Sequence, residues 1–289
     1  ETPMVGREPE MAALQNRYQD ATIGHETALV LICGDPGIGK TRLSNTFRDW
    51  AAFQPAPPTI LRGRAIPNTQ PVPFGVLRNL FAKVFKIMET DSNSEALEKF
   101  REGTHTVLRD EEADLVGQFI GFNFKISPAV LRLLGDQDFA KIAHLYLVNY
   151  FRKLAESPLL LLLEDLQWMD DSTLDLIIEI VEKLSQEEKS RLMIVCTARP
   201  EFYERRANWG EGITGFSQIK LRRLSRLRSR TLVEEILRKV EVVPESLFNC
   251  IIDVAEGNPF FIEELIKMLI DQGVIQTADD EWHISLEML

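Results

Sequence analysis

At 289 residues the chain is too long for one small module and too short for three ordinary domains, so it reads as one large domain with an appendage. Apolar residues make up 45% and charged residues 27%, the balance of a globular chain, which excludes a disordered, collagen-like or coiled-coil protein. The net charge of −11 opposes non-specific binding to nucleic acid or an anionic membrane over the whole surface and leaves only a local patch for such a contact.

No run approaches the ~18 apolar residues that a bilayer helix needs; Ala28 to Cys33 and Leu159 to Leu163 are strand-sized, so a soluble, cytoplasmic protein is expected. Cys33, Cys196 and Cys250 lie far apart and suggest neither a disulfide framework nor a CxxC metal site. The four histidines have no ligand-like spacing. The chain begins at Glu1 rather than Met, as expected of a fragment of a longer protein.

In chain order, Thr27 to Cys33 (TALVLIC) is an apolar, β-branched run ending at glycine, the pattern of a parallel strand covered on both faces. From Lys40, apolar residues at Leu43, Phe47, Trp50 and Ala51 follow helical spacing, and the helix should end before Pro55, Pro57 and Pro58. Further strands are expected at Thr59 to Arg64, Leu159 to Glu164, Leu192 to Thr197 and, more weakly, Gln218 to Leu221. Strands alternating with helices mean a parallel α/β sheet. About residues 71–157 the pattern is helical only, at Val76 to Met88, Glu95 to Arg109, Glu111 to Phe119 and Phe139 to Glu156, so a helical insertion is expected there. After Leu224 helices are expected at Ser225 to Val240, Glu245 to Ala255 and Phe260 to Gln272, followed by a hairpin within Val274 to Ile284.

Gly34-Asp35-Pro36-Gly37-Ile38-Gly39-Lys40-Thr41, followed by Arg42, matches G-x-x-x-x-G-K-[ST] between an apolar strand and an amphipathic helix, where the mechanism of that motif requires it. Its glycines let backbone N–H groups wrap a phosphate chain at a helix N-terminus. Lys40 would reach the β and γ phosphates, and the Thr41 hydroxyl would ligate Mg²⁺.

Leu159 to Asp165 (LLLLLED) is an apolar strand ending in two carboxylates, the form of a Walker B element, at the sheet edge where open α/β proteins bind ligands. One acid can hold Mg²⁺, directly or through water, while the other orients or activates the attacking water. Glu164, which ends the strand, is assigned to the metal and Asp165 to the water. Arg199, at the end of LMIVCTAR, is placed to sense or stabilise γ-phosphate charge; the competing reading is an ion pair with Glu201 or a surface acid.

Five ordered blocks carry a family resemblance: Val5-Gly6-Arg7-Glu8, the phosphate loop, LLLLLEDLQWMDDST, CTARP and Gly257-Asn258-Pro259-Phe260-Phe261-Ile262-Glu263-Glu264-Leu265. Together they resemble STAND-type P-loop ATPases of the AAA+ relatives, above all the modules beside bacterial class III adenylate or guanylate cyclase domains and in large ATP-binding LuxR-type regulators. The resemblance implies an additional-strand P-loop NTPase with sheet order 5-1-4-3-2 and a C-terminal helical lid. It also implies ATP or ADP with Mg²⁺ as ligand, and a nucleotide state that switches neighbouring domains. On the same resemblance, Val5 and Arg7 lie near the nucleotide base, Arg199 is the strand-four sensor, and Pro259 is the lid proline that touches adenine. Pro259 also reads as a helix breaker, with Gly257 as the cap of the preceding helix. Glu164 departs from the family, where Asp is more usual, and this puts the metal distance and turnover rate in question.

The division expected is a P-loop domain at 1–224 with its insertion, a lid at 225–272, and at 273–289 the start of a winged-helix or linker region. Asp171 or Ser172 is a candidate cap for the helix that follows Walker B, and Trp168 reads as a packing residue. The basic run Lys220, Arg222, Arg223, Arg226, Arg228 and Arg230 reads as a solvated face before it reads as a nucleic-acid or partner contact.

The function expected is an ATP-binding signalling switch with slow Mg²⁺-dependent hydrolysis, in a longer protein that carries effector and helical-repeat domains, among them a possible nucleotide cyclase. Nucleotide-dependent self-association is a further expectation, and neither membrane nor nucleic acid is expected to bind through this module. The rival readings are a DNA-engaging AAA+ initiator or helicase loader, and a nucleotide-binding module that does not hydrolyse.

Overall fold

A computed structural model describes residues 4–124, 128–277 and 282–285. Its centre is a five-stranded parallel sheet built from β1 (Ala28–Cys33), β2 (Thr59–Arg64), β3 (Leu159–Glu164), β4 (Leu192–Ala198) and β5 (Phe216–Lys220). The spatial order is β2-β3-β4-β1-β5, the expected 5-1-4-3-2 read from the other edge. In register, Val30 of β1 faces Val195 of β4, Leu161 of β3 faces Ile194, and Arg64 of β2 faces Glu164. Every residue of β1, β3 and β4 is buried, because helices cover both faces; continuous apolar runs therefore stand where an exposed sheet would alternate.

On one face, α1 (Glu8–Thr22) and α2 (Lys40–Ala52) pack Leu14, Tyr18, Leu43 and Phe47 against Val30, Ile32, Leu160, Leu162 and Val195. On the other face lie the insertion helices α3 (Gly75–Val84), α4 (Asn93–Thr104), α5 (Asp110–Phe119) and α6 (Pro128–Leu154), with α7 (Asp171–Leu184). There Phe81, Phe100, Phe151 and Ile177 close over Leu29, Leu31, Leu161 and Leu163. The short α8 (Phe202–Arg205) leads to β5. A third core belongs to α9 (Arg226–Ile236), α10 (Glu245–Ala255) and α11 (Pro259–Asp271), through Leu232, Val233, Leu247, Ile251, Ile262 and Ile266. The hairpin β6 (Ile275–Thr277) and β7 (Trp282–Ile284) is antiparallel, pairing Ile275 with Ile284.

Several expectations need correction. The helix expected over Glu95 to Arg109 stops at Thr104, and the next begins at Asp110, where the Glu112 carboxylate accepts the Arg109 N–H to cap it. Asp170, not Asp171 or Ser172, caps α7, its Oδ1 accepting from Thr173 N–H at 2.8 Å. Glu256, in the left-handed region at φ +47°, takes the C-cap of α10 that was expected of Gly257. Helix α1 was not anticipated, although Met11, Leu14, Tyr18 and Ala21 follow the spacing of one helical face. Among the described residues, no helix is long and apolar enough to cross a membrane.

Candidate nucleotide site

The phosphate loop joins β1 to α2 at the C-terminal edge of the sheet. Gly37 and Gly39 adopt φ of +77° and +100°, conformations that a side chain disfavours, and Gly39 serves as the N-cap of α2. Around Gly39 there is open space where a Cβ would stand, whereas a Cβ on Gly37 would come within 2.8 Å of Asn258 Oδ1 and of Phe260 Cβ. The helix N-terminus beyond the loop supplies unpaired backbone N–H groups and a partial positive charge, the elements of an anion site.

Lys40 is buried and folds back on the loop, its Nζ donating to the carbonyls of Gly34 at 2.7 Å and Asp35 at 2.9 Å. Burial, assisted by the positive charge of Arg199, pushes the Lys40 ammonium below its ordinary pKa; Asp165 pulls it the other way. Lys40, Arg199 and Asp165 therefore share one electrostatic neighbourhood. The Arg199 guanidinium has no ion pair among the described residues, so the pairing with Glu201 is absent, while its backbone N–H is held by Gln167 Oε1 at 3.1 Å.

The Walker B carboxylates are both engaged by arginines of β2. Glu164, only 2% exposed, receives Arg62 Nη2 at 2.6 Å and Nε at 2.7 Å. Asp165, in the left-handed region at φ +62°, receives Arg64 Nε at 3.0 Å, and its backbone N–H donates to Thr197 Oγ1 at 3.2 Å. Gln167 Nε2 reaches Asp165 Oδ1 at 3.3 Å, so the strand end, the following turn and β4 form one polar network. Glu164 alternates with Leu160 and Leu162 and lies on the face that carries α2, whereas Leu161 and Leu163 face the insertion.

Arg7 is buried beneath the loop, its Nη2 donating to the carbonyls of Ile38 at 3.0 Å and Arg222 at 2.8 Å. It braces the loop against the segment leading to α9. Val5 packs on the lid core. Pro259 is the first residue of α11, and its predecessor Asn258 makes the polar contact to the loop, donating from Nδ2 to Pro36 O at 3.1 Å. Arg42 Nη1 lies 3.0 Å from Glu263 Oε1 of the same helix. The phosphate loop, strand ends β3 and β4, the segment before α1 and the lid thus meet at one edge of the sheet.

The chain belongs to the AAA ATPase domain family. That family's model matches residues 3–195, well over half of the sequence, and a second model, of a domain of unknown function, matches residues 226–283. A comparison with curated proteins finds no match. Among solved structures, the ORC1 protein of Aeropyrum pernix, determined in complex with DNA, aligns with a TM-score of 0.56 and 12% identity over 99% of this chain and 64% of that one. The ORC2 protein of the same organism, determined as ADPNP–ADP complexes, gives 0.54 and 14% over 100% and 68%. A STAND protein with a tetratricopeptide repeat sensor from Pyrococcus horikoshii gives 0.39 and 16% over 93% of this chain and 33% of that one. At these identities the likeness to the ORC proteins concerns the fold, and this chain spans about two thirds of the length of the ORC chains and a third of the STAND chain.

Sequence reasoning did not find Arg62, Arg64, Gln167 or Asn258. The two arginines alternate within a strand, a period-2 pattern that puts both on one face. Asn258 stands directly before a proline that opens a helix, which is a capping signal. Gln167 carries no local signal. The basic run near residue 225 is largely spent in ion pairs: Arg223 with Glu256, Arg226 with Asp253, Arg228 with Glu8 of α1, and Arg230 with Glu234 and Glu245 while its guanidinium lies 4.4 Å from the Phe248 ring centroid.

Proposed function

We propose that this AAA ATPase domain is an ATP-binding switch with slow Mg²⁺-dependent hydrolysis, whose nucleotide state is passed to neighbouring effector domains of a longer protein. The observation that carries the reading is the charge arrangement at the sheet edge. Lys40 and Arg199 stand without carboxylate partners among the described residues, while Glu164 and Asp165 are held by Arg62 and Arg64. A polyphosphate would satisfy the first pair, and the carboxylates would become available only as the arginines release them, so slow turnover follows. The lid reading, with a division near residue 224, is supported by the separate core of α9 to α11 and by a second matched segment that starts at residue 226.

The donor set fits Mg²⁺. Among the described residues no group of three or more His, Cys, Asp or Glu side chains could hold a metal unaided, and Mg²⁺ in phosphate sites takes one or two protein oxygens together with phosphate oxygens. The Thr41 hydroxyl, exposed in the first turn of α2, and Glu164, on the same face of the sheet, would supply them. When bound, the ion would neutralise charge on the phosphates. The chain's own contributions are Lys40 and the loop amides to bind phosphate, Arg199 to offset charge at the γ position, and Asp165 to orient the attacking water. Arg7 and Val5 on one side and Pro259 on the other are proposed to border the base.

The test combines single-turnover hydrolysis with limited proteolysis of the lid in ADP and in a non-hydrolysable ATP analogue. Distinct cleavage patterns and slow turnover are expected. Identical patterns would remove the switch, and binding without turnover would leave a non-hydrolysing module. Retention on DNA that weakens steeply with salt would instead favour an initiator-like role. The ion pairing of the 223–230 arginines with acids of this chain weighs against that outcome.

A further inference from the structure

Asn258 contacts two elements at once. It is 5% exposed and sits in extended backbone at the N-cap of α11, where its Oδ1 accepts the Phe260 N–H at 3.1 Å. Its Nδ2 donates to the carbonyl of Pro36 at 3.1 Å, inside the phosphate loop and 222 residues away in sequence. The Phe260 N–H also approaches the Gly37 carbonyl, at 3.3 Å. The loop meets the lid so closely that a Cβ on Gly37 would lie 2.8 Å from Asn258 Oδ1 and from Phe260 Cβ. The motif leaves position 37 free to be any residue, so its glycine is explained by φ +77° and by this approach.

A neighbouring ion pair, Arg42 with Glu263, also joins α2 to α11, but both side chains are about a third or more exposed and water screens them. The Asn258 amide is the buried link. An N-cap requires only an acceptor, which serine, threonine or aspartate supply as well. A residue that caps α11 through one atom and donates to Pro36 O through a second needs acceptor and donor on separate atoms, which the asparagine amide has at capping length; a serine or threonine hydroxyl has one oxygen, one bond closer to the backbone, for both.

We propose that Asn258 is a positioning residue that ties the lid to the phosphate loop, so that retention of bound nucleotide depends on its amide. The proposal rests on the nucleotide reading of the loop. Through Pro36 and Gly37, any rearrangement of the loop around phosphate is transmitted to the first turn of α11, and lid opening in turn loosens the loop.

Asn258→Ser and Asn258→Ala separate the two contacts. Serine keeps a cap acceptor but lacks the second, further-reaching atom that bonds Pro36 O, and adds no charge; alanine loses both contacts. The experiment measures dissociation of a fluorescent ADP, melting temperature without nucleotide, and amide hydrogen exchange of residues 37–40 and 260–262 in the nucleotide-free protein. Both variants are expected to release ADP about tenfold faster, the loss of one buried hydrogen bond. Only Asn258→Ala is expected to lower the melting temperature, by a few degrees. Exchange should rise in both segments together in Asn258→Ser. An Asn258→Ser off-rate within twofold of wild type, or exchange unchanged in the loop, would overturn the proposal and leave Asn258 a helix cap. If the wild type binds no ADP, the nucleotide reading and the retention claim fall together, and the exchange comparison alone then decides whether the tether exists.

Discussion

Arg62 of β2 and Glu164 of β3 form a half-buried ion pair at the sheet edge, with Nη2 2.6 Å from Oε1, the carboxylate 2% exposed and the arginine a third exposed. A buried carboxylate has to be compensated. In this structure the compensating cation is an arginine from the adjacent strand. On the proposed assignment of Glu164 to Mg²⁺, arginine and metal would be alternative partners of one carboxylate.

Arg62→Ala is accordingly expected to destabilise the nucleotide-free protein by about 1–3 kcal/mol, reduced from the fully buried case because Arg62 is a third exposed. With saturating Mg²⁺ and a non-hydrolysable ATP analogue the deficit should shrink, since the ion takes over the compensation. Melting curves with and without ligand measure both. A deficit of equal size in the two conditions would make Arg62 a structural residue with no link to the metal.

The fold was legible where one local pattern decided it. The strands read from LVLIC, LLLLLE and LMIVC hold because burial on both faces leaves a continuous apolar signature. The phosphate loop read directly from its glycines and Lys40. What could not be read were partners distant in sequence. Arg62 meets Glu164 across 102 residues and Asn258 meets Pro36 across 222, and neither residue type announces its partner. The C-cap of α10 is Glu256, one residue before the glycine expected there; Gly257 follows it at φ +79° and lies against the backbone of Leu224, whose N–H donates to its carbonyl at 2.8 Å.

Lys40→Ala should abolish nucleotide-dependent stabilisation. A ligand at a hundred times its Kd stabilises the folded state by about 2.7 kcal/mol, several degrees in melting temperature. The wild-type shift with MgATP or MgADP should vanish in the variant, as followed by thermal unfolding and calorimetry. Retention of the full shift would place the nucleotide elsewhere.

Alkaline stability reports on the insertion core. Burial among Phe81 and Phe151 pushes the Tyr150 phenol up to about 12 from an ordinary 10. A folded-state pKa above the unfolded value means that the stabilisation is fully present below pH 10 and is lost as pH rises through 12. Up to about 2–3 kcal/mol should disappear over that window. Tyr150→Phe should flatten the loss in urea unfolding at pH 8, 10 and 11, although Tyr203, also pushed up to about 12, keeps part of it. An unchanged slope would mean that Tyr150 does not control alkaline unfolding.

The last prediction divides the two Walker B carboxylates. Glu164 ends β3 on the face that carries α2 and Thr41, and it is the more deeply buried acid, which suits a fixed metal partner. Asp165 is turned into the left-handed region, lies within the electrostatic reach of Lys40, and is held by Arg64, whose side chain is 67% exposed and easily displaced. That suits an acid that must act on water at the γ-phosphate. Asp165→Asn should keep MgATP affinity and lower single-turnover hydrolysis by about 10²- to 10⁴-fold, the contribution of a positioned general base. Glu164→Gln should weaken Mg²⁺-dependent binding as well, because a neutral amide offers the ion less. Titrating Mg²⁺ at fixed ATP separates the two, since only the Glu164 variant should shift the Mg²⁺ midpoint. Normal binding with lost turnover in Glu164→Gln, alongside wild-type turnover in Asp165→Asn, would exchange the roles, and the left-handed turn at Asp165 would then serve only to aim its backbone N–H at Thr197.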